Sequence, residues 1–437
     1  MDYNIFHFKD LFEVKHGYPF KSNNFSDTKT KFHIMTPGNV KAGGGIKLDK
    51  IKYLEENIEF DKNYIFEPGD IFINLTDLSK KGDTLGFPAI VPNDLSKYYL
   101  HNQRLGRVIN IDEEKLDKNF LFYLLCTREY RHHILGSATG STVKHTSPKR
   151  ILEFEISLPN LKIQKYIGIV LNSIDKKIEN NQKIIANLEE LSQTLFKRWF
   201  VDFEFPDENG NPYKSSGGEM VESELGEIPK GWIVNNINDF ANNNVITGKT
   251  PSTKVKENYS ETGIPFLTIP DMHKDVFALN TERYISETGI EKLEKKILEK
   301  NSLAISCIAT PGLVSIISND TLTNQQINSF TPNKTELYYL YFYLKGMRNY
   351  IRDLGSGGSA TLNLNKTQFE KIKLVKPINE LLLKYDKLVH SNFEIILNFQ
   401  KENNYLIQLR DTLLPKLMSG EIEIPDDMEV NKDELSI

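Results

Sequence analysis

Residues 135–142 read LGSATGST and residues 354–361 read LGSGGSAT, so one short segment of glycine, serine and threonine occurs twice in this chain. Each copy continues through a mixed run to a proline, Pro159 or Pro377. A long stretch with helical periodicity follows each proline. Self-similarity over such a distance predicts a duplicated chain with the order globular part, helix, globular part, helix.

Two further pairs of segments support the duplication. Residues 101–104 read HNQR where residues 323–326 read TNQQ, and Thr84–Gly86 resembles Thr310–Gly312. All of them lie upstream of the glycine and serine segments and keep the same order in both halves. The repeat therefore extends through each globular part.

Two apolar stripes with spacings of mostly three and four residues predict the long helices. The first stripe consists of Ile163, Ile167, Val170, Ile174, Ile178, Ile185, Leu188 and Leu195. The second consists of Leu382, Tyr385, Val389, Ile396, Phe399, Leu406, Leu409 and Leu413. We expect the two stripes to pack against each other, with Asn181, Asn392 and Asn403 as polar interruptions that fix register and partner choice. Such helices span roughly 50 to 60 Å and can hold two domains apart.

The globular parts have a different pattern. Short β-rich runs such as residues 70–74 and 302–306 are bounded by Gly, Pro and Asn turns. Aromatic-rich helical candidates, residues 120–133 and 337–351, lie just before the glycine and serine segments. Each globular part is therefore predicted to be a mixed α/β domain.

Composition is that of an ordinary globular protein, with 39% hydrophobic and 26% charged residues. We expect a cytoplasmic protein without membrane contact, because the first ten residues lack a signal pattern and no run of 18 apolar residues occurs. Two cysteines, Cys126 and Cys307, predict neither a disulfide framework nor a zinc site.

The net charge of −5 is concentrated in two segments. Asp202–Glu227 holds eight acidic residues and one lysine, and Glu421–Ile437 holds seven acidic residues and one lysine. Both have the composition of a connector or a tail. The remainder of the chain is net positive, so electropositive surfaces for nucleic acid are available there.

Four segments resemble catalytic, cofactor-binding or metal-binding motifs, but each is incomplete. The segment 353–358 resembles a cofactor loop of methyltransferases but follows a predicted helix instead of a strand, and Gly248–Thr250 lacks the first glycine of a P-loop. Asn211–Tyr213 resembles a methyltransferase tetrad without its second proline, and His132 and His133 are adjacent, which suits neither a metal site nor a catalytic pair. We expect no catalytic centre, metal site or cofactor on this chain.

The polar turns suit DNA instead, because they offer hydroxyls, amides and cations to phosphates and base edges. Asn102, Gln103, Asn324 and Gln325 could bond adenine in bidentate fashion, but amides also brace turns, and we favour that structural role. For the other turn residues a solvent-facing loop is the competing interpretation, and duplication favours function. The candidate DNA-binding surface comprises Lys21, Asn102, Gln103, Arg104, Ser137, Thr139, Ser141, Thr142, Lys144, His145, Lys249, Thr250, Asn324, Gln325, Gln326, Ser356, Ser359, Thr361, Asn363 and Lys366.

Three more motifs accompany the duplicated segments. Residues 195–203 read LFKRWFVDF, residues 413–421 read LLPKLMSGE and residues 226–232 read GEIPKGW. In this combination the chain resembles, over nearly its whole length, the specificity subunits of type I restriction-modification systems. In that resemblance, residues 226–232 are the entry to a second target-recognition domain.

The resemblance implies an α+β fold with an internal pseudo-two-fold repeat, in which two mixed α/β target-recognition domains are joined by two long antiparallel α-helices that form a coiled-coil-like spacer. The predicted divisions are target-recognition domain 1 at residues 1–158, spacer helix 1 at 159–204, an acidic connector at 205–227, target-recognition domain 2 at 228–376, spacer helix 2 at 377–420 and an acidic tail at 421–437.

The resemblance also implies a function and partners. The chain would bind a bipartite, asymmetric target in double-stranded DNA and direct two adenine methyltransferase subunits and the motor-endonuclease (restriction) subunits to it. S-adenosylmethionine, ATP and Mg would be bound by those partner subunits. The alternatives are a fused restriction-methylation enzyme, which tight S-adenosylmethionine binding would reveal, and a coiled-coil adaptor that does not bind DNA, for which duplex binding would lack a steep salt dependence.

Overall fold

A computed structural model describes residues 4–273, 275–291, 293–355 and 363–425. The contacts divide the chain into two units. Unit 1 comprises Met1–Ile178 with Leu406–Ile437, and unit 2 comprises Glu179–Tyr405. Because each unit includes part of both predicted spacer helices, these helices are integral to the units and not free linkers.

Short strands and tight turns dominate the first part of unit 1. Its strands are β1 (Asn4–His7), β2 (Glu13–His16), β3 (Phe25–Ser26), β4 (Phe32–Met35), β5 (Lys52–Leu54), β6 (Ile71–Asn74), β7 (Thr76–Asp77), β8 (Pro88–Ile90), β9 (Tyr98–His101), β10 (Leu105–Ile109), β11 (Lys144–His145) and β12 (Glu155–Leu158). They form four-stranded sheets in the orders β3-β5-β4-β9 and β2-β10-β6-β8, with the pairs β1-β12 and β11-β7. In the first sheet β4 and β9 are parallel, and the other pairs are antiparallel.

Unit 1 also contains three short helices and the first half of a long one. They are α1 (Lys118–Leu124), α2 (Arg128–Ser137), α3 (Pro148–Leu152) and the first half of α4 (Leu161–Phe196). The side chains of Asp117 and Thr127 accept hydrogen bonds from backbone amides in the first turns of α1 and α2, which fixes where these helices begin. A buried apolar cluster joins α1 and α2 to the start of α4 and to Leu417 near the C-terminus.

Unit 2 repeats the mixed pattern. Its strands are β13 (Met220–Ser223), β14 (Gly226–Pro229), β15 (Ile233–Asn236), β16 (Ile246–Thr247), β17 (Tyr259–Ser260), β18 (Ile264–Leu267), β19 (Phe277–Ala278), β20 (Tyr284–Ile285), β21 (Leu303–Ser306), β22 (Val314–Ile317), β23 (Leu322–Thr323), β24 (Ile327–Phe330) and β25 (Lys373–Lys376). The sheets have the orders β16-β24-β21-β22-β19 and β17-β20-β18-β23, with the pairs β13-β14 and β15-β25. β18 and β23 are parallel, as β4 and β9 are in unit 1.

The helices of unit 2 include one with an unusually aromatic sequence. They are α5 (Ile237–Phe240), α6 (Glu287–Ile290), α7 (Leu337–Gly346), α8 (Arg348–Gly355), α9 (Lys366–Glu370) and α10 (Asn379–Ser419). Helix α7 reads LYYLYFYLKG and is buried along nearly its whole length, packed against the second half of α4 and the first half of α10. An all-round apolar helix of this kind has to lie inside a core.

Within each unit, α4 and α10 pack side by side in opposite directions. In unit 1 the guanidinium of Arg410 lies 2.8 Å from Asp175, which also accepts a hydrogen bond from Tyr123 at 2.7 Å. In unit 2 the Asn181 amide donates to Asn403 at 3.0 Å, and Ser192 pairs with Asn392 at 3.1 Å. Partner numbers fall on α10 as they rise on α4, so the helices are antiparallel. The predicted fold class is confirmed.

The acidic segment between the two parts is not a bare linker. After α4 the chain continues in a π-helical turn, Lys197–Val201, and then Phe205 stacks on Trp232 and on Tyr213. The hairpin β13-β14 follows. In the described ranges, no helix is both long and apolar enough to cross a membrane.

Candidate nucleic-acid interface

The turn after β9 carries the first group of candidate residues. His101 is fully buried, and its Nε2 donates to the Leu105 carbonyl at 2.9 Å. Burial lowers the pKa of His101 to about 4, so the ring is neutral and serves as a fixed support. The Asn102 side-chain oxygen accepts from the Arg104 amide at 3.0 Å. Gln103 and Arg104 are left exposed on a braced turn.

A loop that contains Lys21 packs against this turn. Tyr18 N–H donates to the His101 carbonyl at 2.8 Å, and Gln103 N–H donates to the Tyr18 carbonyl at 3.0 Å. Gly17 is required at this approach, because a Cβ there would overlap the Asn102 carbonyl. Lys21 is exposed a few residues along the same loop. No local sequence pattern predicts this pairing, because the two segments lie far apart in the chain.

In unit 1, Leu75 connects the end of the glycine and serine segment to the Asn102 turn. Leu75 N–H donates to the Arg104 carbonyl at 3.0 Å, and the Leu75 carbonyl accepts from Thr146 N–H at 3.0 Å. The strand that contains Lys144 and His145 pairs with β7, next to Leu75. Leu75 therefore lies between residues 102–104 and residues 144–145, and the structure brings these two candidate segments together.

The rest of this segment forms a tight hairpin. Thr139 and His145 exchange backbone hydrogen bonds at 3.0 and 2.9 Å. Ser141 and Thr142 lie exposed at its tip, while the Ser137 hydroxyl donates to the Ile134 carbonyl at the end of α2. Ser137 thus contributes to the helix end, and the tip offers its hydroxyls to solvent.

Unit 2 repeats the central hydrogen bonds of this arrangement. Cys307 takes the place of Leu75, with its N–H donating to the Gln326 carbonyl at 2.8 Å and its carbonyl accepting from Leu364 N–H at 2.9 Å. The Asn324 side-chain oxygen accepts from the Gln326 amide at 3.0 Å, as Asn102 does in unit 1. We call this shared arrangement of the amide turn and the central residue, Leu75 or Cys307, the repeat framework.

The loop with Lys249 and Thr250 occupies the place of the Lys21 loop. Lys249 N–H donates to the Thr323 carbonyl at 2.9 Å, and a Cβ on Gly248 would overlap the Asn324 carbonyl. The Thr250 hydroxyl donates to the Gln325 side-chain oxygen at 2.6 Å, which holds that exposed amide in one orientation. Lys249 itself is exposed.

Some predicted positions lie at the margin of the framework or outside the description. Asn363 is exposed and forms a β-bridge with Ile308, and Lys366 is exposed at the start of α9, 3.4 Å from Glu370. Ser356, Ser359 and Thr361 lie outside the described residues. Among the described residues, no group of three His, Cys, Asp or Glu side chains could hold a metal ion.

The units differ in the loop between the framework and the next strand. In unit 1 this loop is anchored by Asp77, which accepts hydrogen bonds from Ser79 N–H at 2.6 Å and from the Thr84 hydroxyl at 2.7 Å. Burial opposes ionisation of Asp77, but these bonds outweigh it and hold its pKa below the usual range. Lys80 and Lys81 are exposed on this loop and were missed by sequence reasoning. The shorter loop of unit 2 has Ala309 at φ 62° instead.

Comparisons with known proteins agree with this duplicated architecture. The model of the type I restriction modification DNA specificity domain matches residues 1–190 and 229–402. The HindI specificity subunit of Haemophilus influenzae is 34% identical over 405 residues, which covers 78% of this chain and 87% of that protein. The MjaIX specificity subunit of Methanocaldococcus jannaschii is 26% identical over 357 residues, covering 78% of this chain and 76% of that protein. The crystal structure of a type I system S subunit from M. genitalium has the same fold, with a TM-score of 0.59, 18% identity and coverage of 98% and 97% of the two chains.

Proposed function

The chain belongs to the family of type I restriction-modification DNA specificity proteins, and on this premise we propose that it recognises a bipartite, asymmetric target in double-stranded DNA. Specificity subunits are the non-catalytic, DNA-recognising members of these systems, and this chain is one of them. Each unit reads one half of the target through the exposed side chains of its repeat framework.

The proposal rests on one observation. The two units share the repeat framework but differ in the side chains that this framework carries. Both units brace an Asn with the backbone amide two residues later, but unit 1 exposes Gln103 and Arg104, whereas unit 2 exposes Gln325 and has a half-buried Gln326 at the position of Arg104. Arg favours the O6 and N7 acceptors of guanine, whereas Gln favours adenine. Two equivalent frameworks with different side chains read two different half-sites, which makes the whole target asymmetric.

The partners follow from the division of labour in such a system. Two methyltransferase subunits bring S-adenosylmethionine to adenines in the half-sites, and restriction and motor subunits use ATP and Mg for cleavage. The spacer helices provide the docking surface for the methyltransferases. This complex acts on DNA in the cytoplasm, and the residue divisions given above are the expected domain limits.

Two measurements test the proposal. Single-molecule sequencing of modified bases, in cells that express this chain with its methyltransferase partner as their only adenine methylation system, should return one motif of two unlike halves with a fixed gap. Binding of that duplex to the assembled complex should weaken steeply as salt rises, because phosphate contacts release counterions. A continuous motif would contradict a bipartite target, and binding that ignores salt would contradict DNA contact altogether.

A further inference from the structure

A basic and aromatic recess of about 410 Å³ lies in unit 1, at the end of its sheet opposite the Asn102 turn. Its lining includes the cations of Lys29, Lys31 and Lys97 and the rings of His33, Tyr53 and Tyr99. Among the described residues that line it there is no Asp or Glu. Asp94 approaches from outside, with its carboxylate 2.6 Å from the Lys97 ammonium. The lining is therefore suited to an anion.

The sheet β3-β5-β4-β9 places these groups on one face. His33 on β4 pairs in register with Tyr53 on β5 and with Tyr99 on β9, and both tyrosine rings stand edge-on to the imidazole at 5.1 and 5.7 Å. Side chains two residues apart on a strand share a face, so Lys31 and Lys97 join the same surface at the strand starts. The other face is a buried apolar cluster. Strand pairing thus fixes His33, Tyr53 and Tyr99, and the segments that lead into these strands complete the lining of the recess.

His33 has unused hydrogen-bonding capacity. Its residue surface is only 7% exposed, and among the described residues no partner lies within hydrogen-bonding distance of its Nδ1. A buried polar atom without a partner is costly, which makes such atoms uncommon in folded proteins. Burial first, and Lys97 second, lower the pKa of His33, while a backbone hydrogen bond at Thr30 and the charge of Asp94 act in the opposite direction. An anion in the recess would offer oxygen atoms to its ring N–H.

Unit 2 provides an internal comparison. When the repeat frameworks are aligned, the strand registers place Pro265 at the position of His33, Gly263 at Lys31, Asn319 at Lys97 and Thr321 at Tyr99. None of these four residues carries a positive charge or an imidazole ring. The sheet is common to both units, whereas Lys31, His33 and Lys97 have no cationic or imidazole counterpart at the aligned positions of unit 2. The shared sheet therefore does not itself require these side chains in unit 1.

We propose that this recess binds a backbone phosphate of the DNA duplex, one groove away from the bases read by the Asn102 turn. The inference rests on the proposed function of unit 1. Strand β9 leads from the recess to the turn, so Lys97 and Asn102 lie roughly 16 Å apart at strand rise. The major groove is about 12 Å wide, and its flanking phosphates lie within reach of such a separation. The recess thereby fixes the orientation of the duplex, and the turn reads the sequence.

The test uses the complete complex and the target that sequencing returns. Changing Lys29→Gln, Lys31→Gln and Lys97→Gln together should weaken duplex binding equally for all sequences and reduce the salt slope by about 1. Lys9→Gln, Lys62→Gln and Lys118→Gln, three exposed lysines outside the recess, form the matched control. Because Lys97 pairs with Asp94, the double variant Lys29→Gln and Lys31→Gln is measured as well, and it should show part of the same effect without altering that pair.

Neutral methylphosphonates placed one at a time along the duplex give a second measurement. One position flanking the half-site of unit 1 should weaken the wild-type complex but have no further effect on the triple variant. If the triple variant keeps the slope of the control, the recess does not hold a DNA phosphate. Saturation by inorganic phosphate or a mononucleotide with unchanged DNA binding would identify a free-phosphate site and overturn the proposal. If the wild-type complex itself fails to bind its duplex, the result contradicts the proposed function of the chain and not specifically the phosphate site.

Discussion

At the scale of single residues, Asn102 and Asn324 explain why neighbouring amides have different roles. Each Asn directs its side-chain oxygen to the backbone amide two residues later, so part of its hydrogen-bonding capacity is used within the turn. Gln103 and Gln325 follow them and are exposed. The sequence favoured a structural role for all four amides, and the contacts of the two Asn residues agree with that interpretation. It could not separate them from the Gln residues, because the difference arises from turn geometry.

We predict that Gln103→Ala and Gln325→Ala relax different halves of the target. A bidentate base contact is worth about 1 to 3 kcal/mol of discrimination, so each change should make one base position degenerate and leave the other half-site intact. Sequencing of modified bases in cells that express each variant measures this directly. Lys118→Ala, an exposed change on α1, is the control. If either Gln variant altered both halves of the target or neither half, that Gln would not be a reader of one half-site.

At the scale of elements, the long helices were the most predictable part of the fold. Their apolar stripes depend on local periodicity, and Ile167, Ile174, Val389 and Ile396 are buried as the pattern indicates. The repeat framework was less predictable. Its central residues, Leu75 and Cys307, bond to segments far away in the chain, and no local pattern encodes such pairings. The recess could not be predicted from the sequence for the same reason, because its lining residues come from three segments that are separate in the chain.

We predict that the buried amides in the helix seam specify the pairing register at some cost in stability. The Asn181 amide donates to Asn403 at 3.0 Å and to Glu402 at 2.8 Å, with Asn181 only 1% exposed. Asn403→Leu should lower the free energy of unfolding by about 1 to 3 kcal/mol, because it removes one partner of a buried donor. Changing Asn181→Leu as well should recover part of that loss, since two apolar side chains then face each other.

Urea unfolding of the full chain, followed by circular dichroism, measures these stabilities. Asn404→Leu is the control, since it makes the same change one position away from the Asn181 contact. If the double variant were less stable than Asn403→Leu alone, the amide pair would stabilise the helices and not only specify their register.

At the scale of the whole molecule, each long helix contributes to both units, α4 through Leu161–Phe196 and α10 through Asn379–Ser419. Each helical residue adds about 1.5 Å to a helix, and each base pair adds about 3.4 Å to a gap between half-sites. On the proposed function, we therefore predict that the number of helical residues determines the number of unread base pairs. Because α4 and α10 pair antiparallel, a change of length has to be made in both helices at matching positions.

The central claim is tested most directly by lengthening both helices and sequencing the modified bases. Duplicating residues 180–183 in α4 and 397–400 in α10 adds four residues to each helix at facing positions, about 6 Å at helical rise. Four residues are close to one turn, so the apolar seam keeps its face. A four-residue insertion after Gly210, in an exposed turn outside the helices, is the matched control.

The account predicts that the complex containing the doubly lengthened chain methylates the same two half-sites, separated by a gap longer by about two base pairs, at 3.4 Å per base pair. The control should retain the original gap. Methylation at the original gap by the complex containing the lengthened chain would contradict the account.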